Sequence, residues 1–199
     1  MAAPPALPHR ARGSICRAHA EAQAFEVRTM LGFLFRTLTA EATTGAPLFE
    51  ALTVRAREKH WYVEGTVPDT IDGRFAVLAT LAAIVLVRLE QLGDEGNAAA
   101  VALTERFIEV MESEHRELGL GDPTLGRTVR KLVRLLAMRT ERWRSAASGE
   151  TGWAAATRES LYRSGVSPDA LEHSASALKR LSGKLQRLTL SDIEQGQLE

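Results

Sequence analysis

The stretch Phe75-Ala76-Val77-Leu78-Ala79-Thr80-Leu81-Ala82-Ala83-Ile84-Val85-Leu86-Val87 decides the fold. It runs for 13 residues without a charge. A membrane span needs roughly 20 apolar residues, so this run reads as a buried helix. Apolar side chains cover nearly every side of it, and a helix hydrophobic all round must be enclosed by others. The expectation is a central helix over 75–89, trailing to about Leu92 and ended by Gly93 and Gly96. Asp69 is its expected cap, with Asp72 near the positive end of the helix dipole.

Working outward, chain breakers recur and the pieces between them have helical period. Val27, Met30, Leu31, Leu34, Phe35 and Leu38 form one stripe. Pro47 suits a first helical turn, continued by Leu48, Leu52 and Ala56. Residues 61–68 are expected to be irregular or extended. A following helix carries Val101, Thr104, Phe107, Ile108, Met111 and Leu118 inward and stops at Gly119. Asp122-Pro123 opens the next, with Val129, Leu132, Val133 and Leu136 inside. Gly149 and Gly152 set off a short helix from Trp153 to Tyr162. Ser167-Pro168 opens a last one, with Leu171, Leu178, Leu181, Leu185 and Leu188 on one face. No sustained alternation of period two and no Asn-Gly hairpin turn occurs. The expected fold is all-α, a single-domain bundle of about six to seven helices around the apolar one. Its expected span is 30–190. Residues 1–29, proline-broken and arginine-rich, are expected as a disordered extension with Met30 as a candidate start, and 191–199 as a C-terminal tail.

Composition excludes several classes. Hydrophobic content of 45% and charged content of 25% over 199 residues suit a chain with a sizeable core. Acidic and basic residues balance at 25 each, so no whole-molecule field recruits nucleic acid, and DNA is not an expected partner. Cys16 is the single cysteine, which excludes an intrachain disulfide and a cysteine-rich metal knuckle. With neither a secretory signal nor a membrane span in sight, the expected location is cytoplasmic.

Candidate chemistry is sparse. Glu112 and His115 have the Glu-x-x-His spacing of di-iron bundles, but such a site needs the motif twice plus two more carboxylates, and His60 and His173 lack a glutamate three residues before them. A helical metal enzyme is thus the weaker alternative to a solvated helix end. No His-x-x-x-His spacing, phosphate loop or nucleophile elbow is present, so no catalytic residue, metal or cofactor is expected. Charge placement says more. Arg127, Arg130, Lys131 and Arg134 recur at helical spacing as one basic stripe, extended by Arg139, Arg142 and Arg144 with only Glu141 against them. Glu105, Glu109 and Glu112 form an acidic stripe on the preceding helix. These are solvated or mutually paired faces, or a docking face for a membrane surface, the ribosome or an acidic partner. Gly73 costs ~1 kcal/mol relative to alanine inside a helix, which points to close backbone contact there. Asp69, Asp72 and Arg74 can form a local salt-bridged clasp, and a well-capped helix start accounts for the same residues.

The segment Val67-Pro68-Asp69-Thr70-Ile71-Asp72-Gly73-Arg74-Phe75 resembles, nearly letter for letter, the V-P-D-T-x-D-G-R-F signature of the ubiquinol–cytochrome c chaperone family. Arg116-Glu117-Leu118-Gly119-Leu120-Gly121-Asp122 is similar to that family's R-E-M-G-V-G-D. Ala56-Arg57 and Trp61-Tyr62 match an upstream A-R and an aromatic pair, and the likeness spans about Met30 to Trp143. Two departures stand out. Leu135-Leu136-Ala137-Met138-Arg139 keeps only the arginine of the family's A-F-Y-G-R, and Leu81 stands where relatives often carry a histidine. The resemblance implies a non-enzymatic assembly factor for the cytochrome bc1 complex, with newly made cytochrome b as protein client and peripheral contact with membrane or ribosome. It implies a client-binding set of Asp69, Asp72, Arg74, Phe75, Arg116, Glu117, Asp122 and Arg139.

Overall fold

The computed structural model describes residues 45–117 and 122–198, with side chains left undescribed over 114–126 and at 128. The expected extension 1–29, Met30 and the stripe from Val27 to Leu38 lie outside the described residues. Seven α-helices and one 3₁₀ turn make up the described residues, which contain no strand. In chain order they are α1 (Ala46–Ala56), the 3₁₀ turn Lys59–Trp61, α2 (Ile71–Glu90), α3 (Gly93–Glu117), α4 (Asp122–Ala147), α5 (Trp153–Leu161), α6 (Pro168–Leu185) and α7 (Leu190–Glu194). The all-α expectation holds, and the apolar run is the centre.

Helix α2 packs against α1, α3, α4, α5 and α6. Every residue from Val77 to Val87 is buried, together with Leu89. Each fully buried Val, Leu or Ile contributes ~1.5–3 kcal/mol relative to an exposed one, so this helix is the main source of hydrophobic stabilisation. The surrounding helices each offer one apolar stripe. In α1 it is Leu48, Phe49, Leu52 and Ala56; in α6 it is Leu171, Leu178, Leu181 and Leu185. Ser167 caps α6, its hydroxyl accepting from Ala170 N at 3.3 Å, with Pro168 in the first turn.

Several expectations shift. Helix α3 turns Ala99, Leu103 and Phe107 fully inward, whereas Val101, Thr104, Ile108 and Met111 are half-buried. Helix α3 begins at Gly93, whose φ of +77° makes the turn out of α2. Gly96 does not end α2; it lies in the first turn of α3, where a Cβ would stand 2.1 Å from the Leu89 carbonyl oxygen. Helix α4 continues its inner stripe through Thr140, Trp143 and Ala146. Residues 191–198 are no loose tail. Ile193 and Leu198 are buried, and Arg55 Nη2 donates to the Leu198 carbonyl at 2.7 Å. A capping box starts α7, in which Thr189 and Asp192 each bind the other's backbone N–H. Leu118 and Gly119 lie outside the described residues.

Candidate functional site

The quoted signature forms the entrance to α2. The residue before Pro68 is driven to extended backbone, and the chain then folds back on the first helical turn. Thr70, not Asp69, is the cap: it is extended (φ −124°, ψ 167°) and its hydroxyl accepts from Gly73 N at 3.2 Å. One residue alone can hold that position, so Asp69 is free to accept from Arg74 Nε at 2.6 Å. That hydrogen bond holds the Asp69 carboxyl below the usual carboxylate range. Asp72 does not join the clasp. It accepts from Arg163 Nη1 at 2.9 Å, on the segment between α5 and α6. Both ion pairs are exposed, where solvent and salt screen them. The close contact expected at Gly73 is there: a Cβ would stand 1.9 Å from the Pro68 carbonyl oxygen.

One turn further in, Phe75 meets Phe107 at 6.0 Å between ring centroids, and Phe107 meets Phe49 at 6.2 Å nearly edge-on. Above Phe75 lies the guanidinium of Arg139, 5.9 Å from the ring centroid. Arg139 also donates from Nη2 to the Ser160 carbonyl at 3.4 Å, while its buried Nε finds no acceptor among the described residues. Burial, then Arg142 and Arg163, hold its guanidinium below the usual arginine range. An arginine nonetheless keeps its charge. The entrance of α2 therefore combines a half-buried cation on an aromatic face with two exposed ion pairs. Ile71, inside the signature, is 80% exposed.

Asp69, Asp72, Arg74, Phe75 and Arg139 thus come together. The side chains of Arg116, Glu117 and Asp122 lie outside the described residues. Arg127, Arg130, Lys131 and Arg134 are all exposed on α4. The expected extension of that stripe dissolves into structural pairs. Arg139 turns inward, Arg142 Nε donates to Glu159 at 2.8 Å, and Arg144 grips Glu90 at 2.8 and 3.0 Å and also pairs with Glu141. Helical spacing alone did not reveal Glu90 and Glu159, which come from α2 and α5. On the acidic stripe, Glu109 pairs with Arg106 at 2.8 Å. Glu112 is half-buried, His115 has no described side chain, and no three His, Cys, Asp or Glu side chains gather to hold a metal among the described residues.

Two constellations went unseen in the sequence. His60 Nδ1 lies 3.1 Å from His173 Nε2, and His60 Nε2 lies 2.9 Å from a Glu58 carboxylate oxygen. Because a carboxylate can only accept, His60 donates to Glu58 from Nε2. Tyr162 donates to the Gly65 carbonyl at 2.5 Å and lies 2.9 Å from Ser174 Oγ, tying the segment before α2 to α6. No local spacing brings His60 to His173 or Tyr162 to Gly65, which are 113 and 97 positions apart.

The ubiquinol-cytochrome C chaperone family matches residues 64–199. Among solved structures, the crystal structure of the Cbp3 homolog from Brucella abortus is similar in fold, with a TM-score of 0.66 at 23% identity, covering 84% of this chain and 93% of that one. No curated protein matches. Residues 64–199 take in the whole entrance of α2 and every helix after it, so the chain belongs to the ubiquinol-cytochrome C chaperone family.

Proposed function

We propose that this protein is a non-enzymatic assembly chaperone that holds newly made cytochrome b, or a similar membrane-protein client, during assembly of the cytochrome bc1 complex. Membership of the chaperone family is the observation that carries this reading. The entrance of α2 is the client face, formed by Asp69, Asp72, Arg74, Phe75 and Arg139. Arg116, Glu117 and Asp122 belong to the same proposed set through their motif. The outward Ile71 supports this choice, because an aliphatic side chain among charges suits a partner that is itself apolar with polar edges.

No helix among the described residues is long and apolar enough to cross a membrane. We place the protein in the cytoplasm with its client at the membrane, and the exposed basic face Arg127, Arg130, Lys131 and Arg134 supports peripheral contact with the membrane surface or the ribosome. Deleting the gene should lower both cytochrome b level and bc1 activity; normal values of both would reject the bc1 assignment. Charge reversal of Arg127, Arg130 and Arg134 should abolish salt-sensitive co-sedimentation with ribosomes or membranes, and unchanged pelleting would reject the docking face.

A further inference from the structure

On the flank of the bundle, the C-terminal part of α1 and the 3₁₀ turn face α6 across a cavity of about 350 Å³. That volume is in the range of small-molecule sites. Buried Trp61, Leu81 and Leu181 supply an apolar floor, and Ala177 forms part of the wall. Its polar lining is strongly biased. Among the described residues, Arg55, Arg180 and Lys184 bring three positive charges against one carboxylate, that of Glu58, which His60 already engages at 2.9 Å. Arg55 donates to a neutral carbonyl, that of Leu198, and neither Arg180 nor Lys184 pairs with a carboxylate among the described residues. Arg180 and Lys184, four apart on α6, stand one above the other on the same face. Like charges so placed repel, and facing Arg55 they repel further. An anion in the cavity converts that repulsion into attraction.

We propose that this cavity is a binding site for a phosphate monoester. Three cations less one carboxylate leave two positive charges, which match a phosphate dianion better than a carboxylate monoanion. Guanidinium groups supply paired donors to phosphate oxygens, and the lysine supplies a mobile point charge. The same chemistry is offered by a soluble organic phosphate and by the headgroup of phosphatidic acid.

The test titrates the full-length protein with phenyl phosphate, and separately measures its co-sedimentation with phosphatidylcholine vesicles with and without phosphatidic acid. Saturable binding of phenyl phosphate, stronger than that of benzoate, is expected. Arg180→Glu and Lys184→Glu, both solvent-accessible, should each weaken it by at least about tenfold. Ala177→Trp fills the cavity while keeping every charge and should also abolish it. Vesicle binding that needs phosphatidic acid and is lost in the same variants identifies a lipid source; phenyl phosphate binding without vesicle binding identifies a soluble one. Either supports the site. Failure of both probes to bind overturns it. So does binding that survives Ala177→Trp, or that is lost instead on reversing Arg127 and Arg130, because the attraction then belongs to surface charge elsewhere.

Discussion

Arg139 lays its guanidinium over the ring of Phe75, 5.9 Å from the centroid, and so ties the middle of α4 to the entrance of α2. Both side chains are half-buried, and Arg139 pairs with no carboxylate among the described residues. A cation–π contact of this kind contributes ~0.5–2 kcal/mol, more as it is desolvated. A double-mutant cycle with Phe75→Leu and Arg139→Met should return a coupling energy in that range by urea denaturation. Strict additivity of the two single changes would show that the contact carries no energy.

The first turn of α2 should be sensitive to its smallest side chains. Thr70→Ala removes a cap and should cost ~1 kcal/mol. Gly73→Ala forces a Cβ into the Pro68 carbonyl and should cost more, ~2 kcal/mol or beyond, because backbone must move. Denaturation midpoints read both. An alanine at 73 that leaves the midpoint unchanged would contradict the close approach.

Asp72 and Arg163 should matter little for stability. Their side chains are 67% and 84% exposed, so Asp72→Lys should shift stability by less than ~1 kcal/mol. If the entrance of α2 meets the client, the same variant should fail to restore bc1 activity to a deletion strain. Full restoration with normal cytochrome b would remove Asp72 from the client face.

Tyr162 should couple the fold to alkaline pH. Burial pushes its phenol above the usual tyrosine range, partly offset by the hydrogen bond with Ser174. Its folded pKa is thus raised over the unfolded one, so its contribution is complete below about pH 10 and is lost as pH climbs through the folded value. Tyr162→Phe should cost ~1–2 kcal/mol at neutral pH, by stranding the Gly65 carbonyl, and should flatten the loss of stability above pH 10. An identical alkaline slope in both proteins would exclude Tyr162 as a source.

How much was legible in advance differs from element to element. The central helix, the cap-and-proline start at Ser167-Pro168 and the breaks at Gly149 and Gly152 were readable, because period and capping are encoded within a few consecutive residues. Asp69 and Thr70 can both cap, and only the backbone path after Pro68 decides for Thr70. The inward face of α3 is not readable from its sequence alone, because apolar side chains lie on more than one side and only packing in the bundle selects Ala99, Leu103 and Phe107. The C-terminal helix escapes a reading of the sequence because five residues carry too little period to see.

The candidate site divides in the same way. Its signature segment was visible as an odd cluster of glycine, proline and opposite charges, and the close contact at Gly73 followed from helix propensity. Its partners were not visible. Arg139 belongs by spacing to a basic face and by position to the interior; Asp72 has Arg74 within local reach and takes Arg163 instead.

By itself, then, the sequence determined that the chain is helical, that the run from Phe75 to Val87 lies at its centre, and which family signature opens that helix. Those are properties of local period and of short motifs. Only the tertiary structure decided that Arg139 covers Phe75, that Glu90 and Glu159 hold Arg144 and Arg142, that His60 meets His173, and that three cations share one cavity. Each depends on the rotation and crossing of helices distant in sequence, and many such arrangements bury the same apolar stripes.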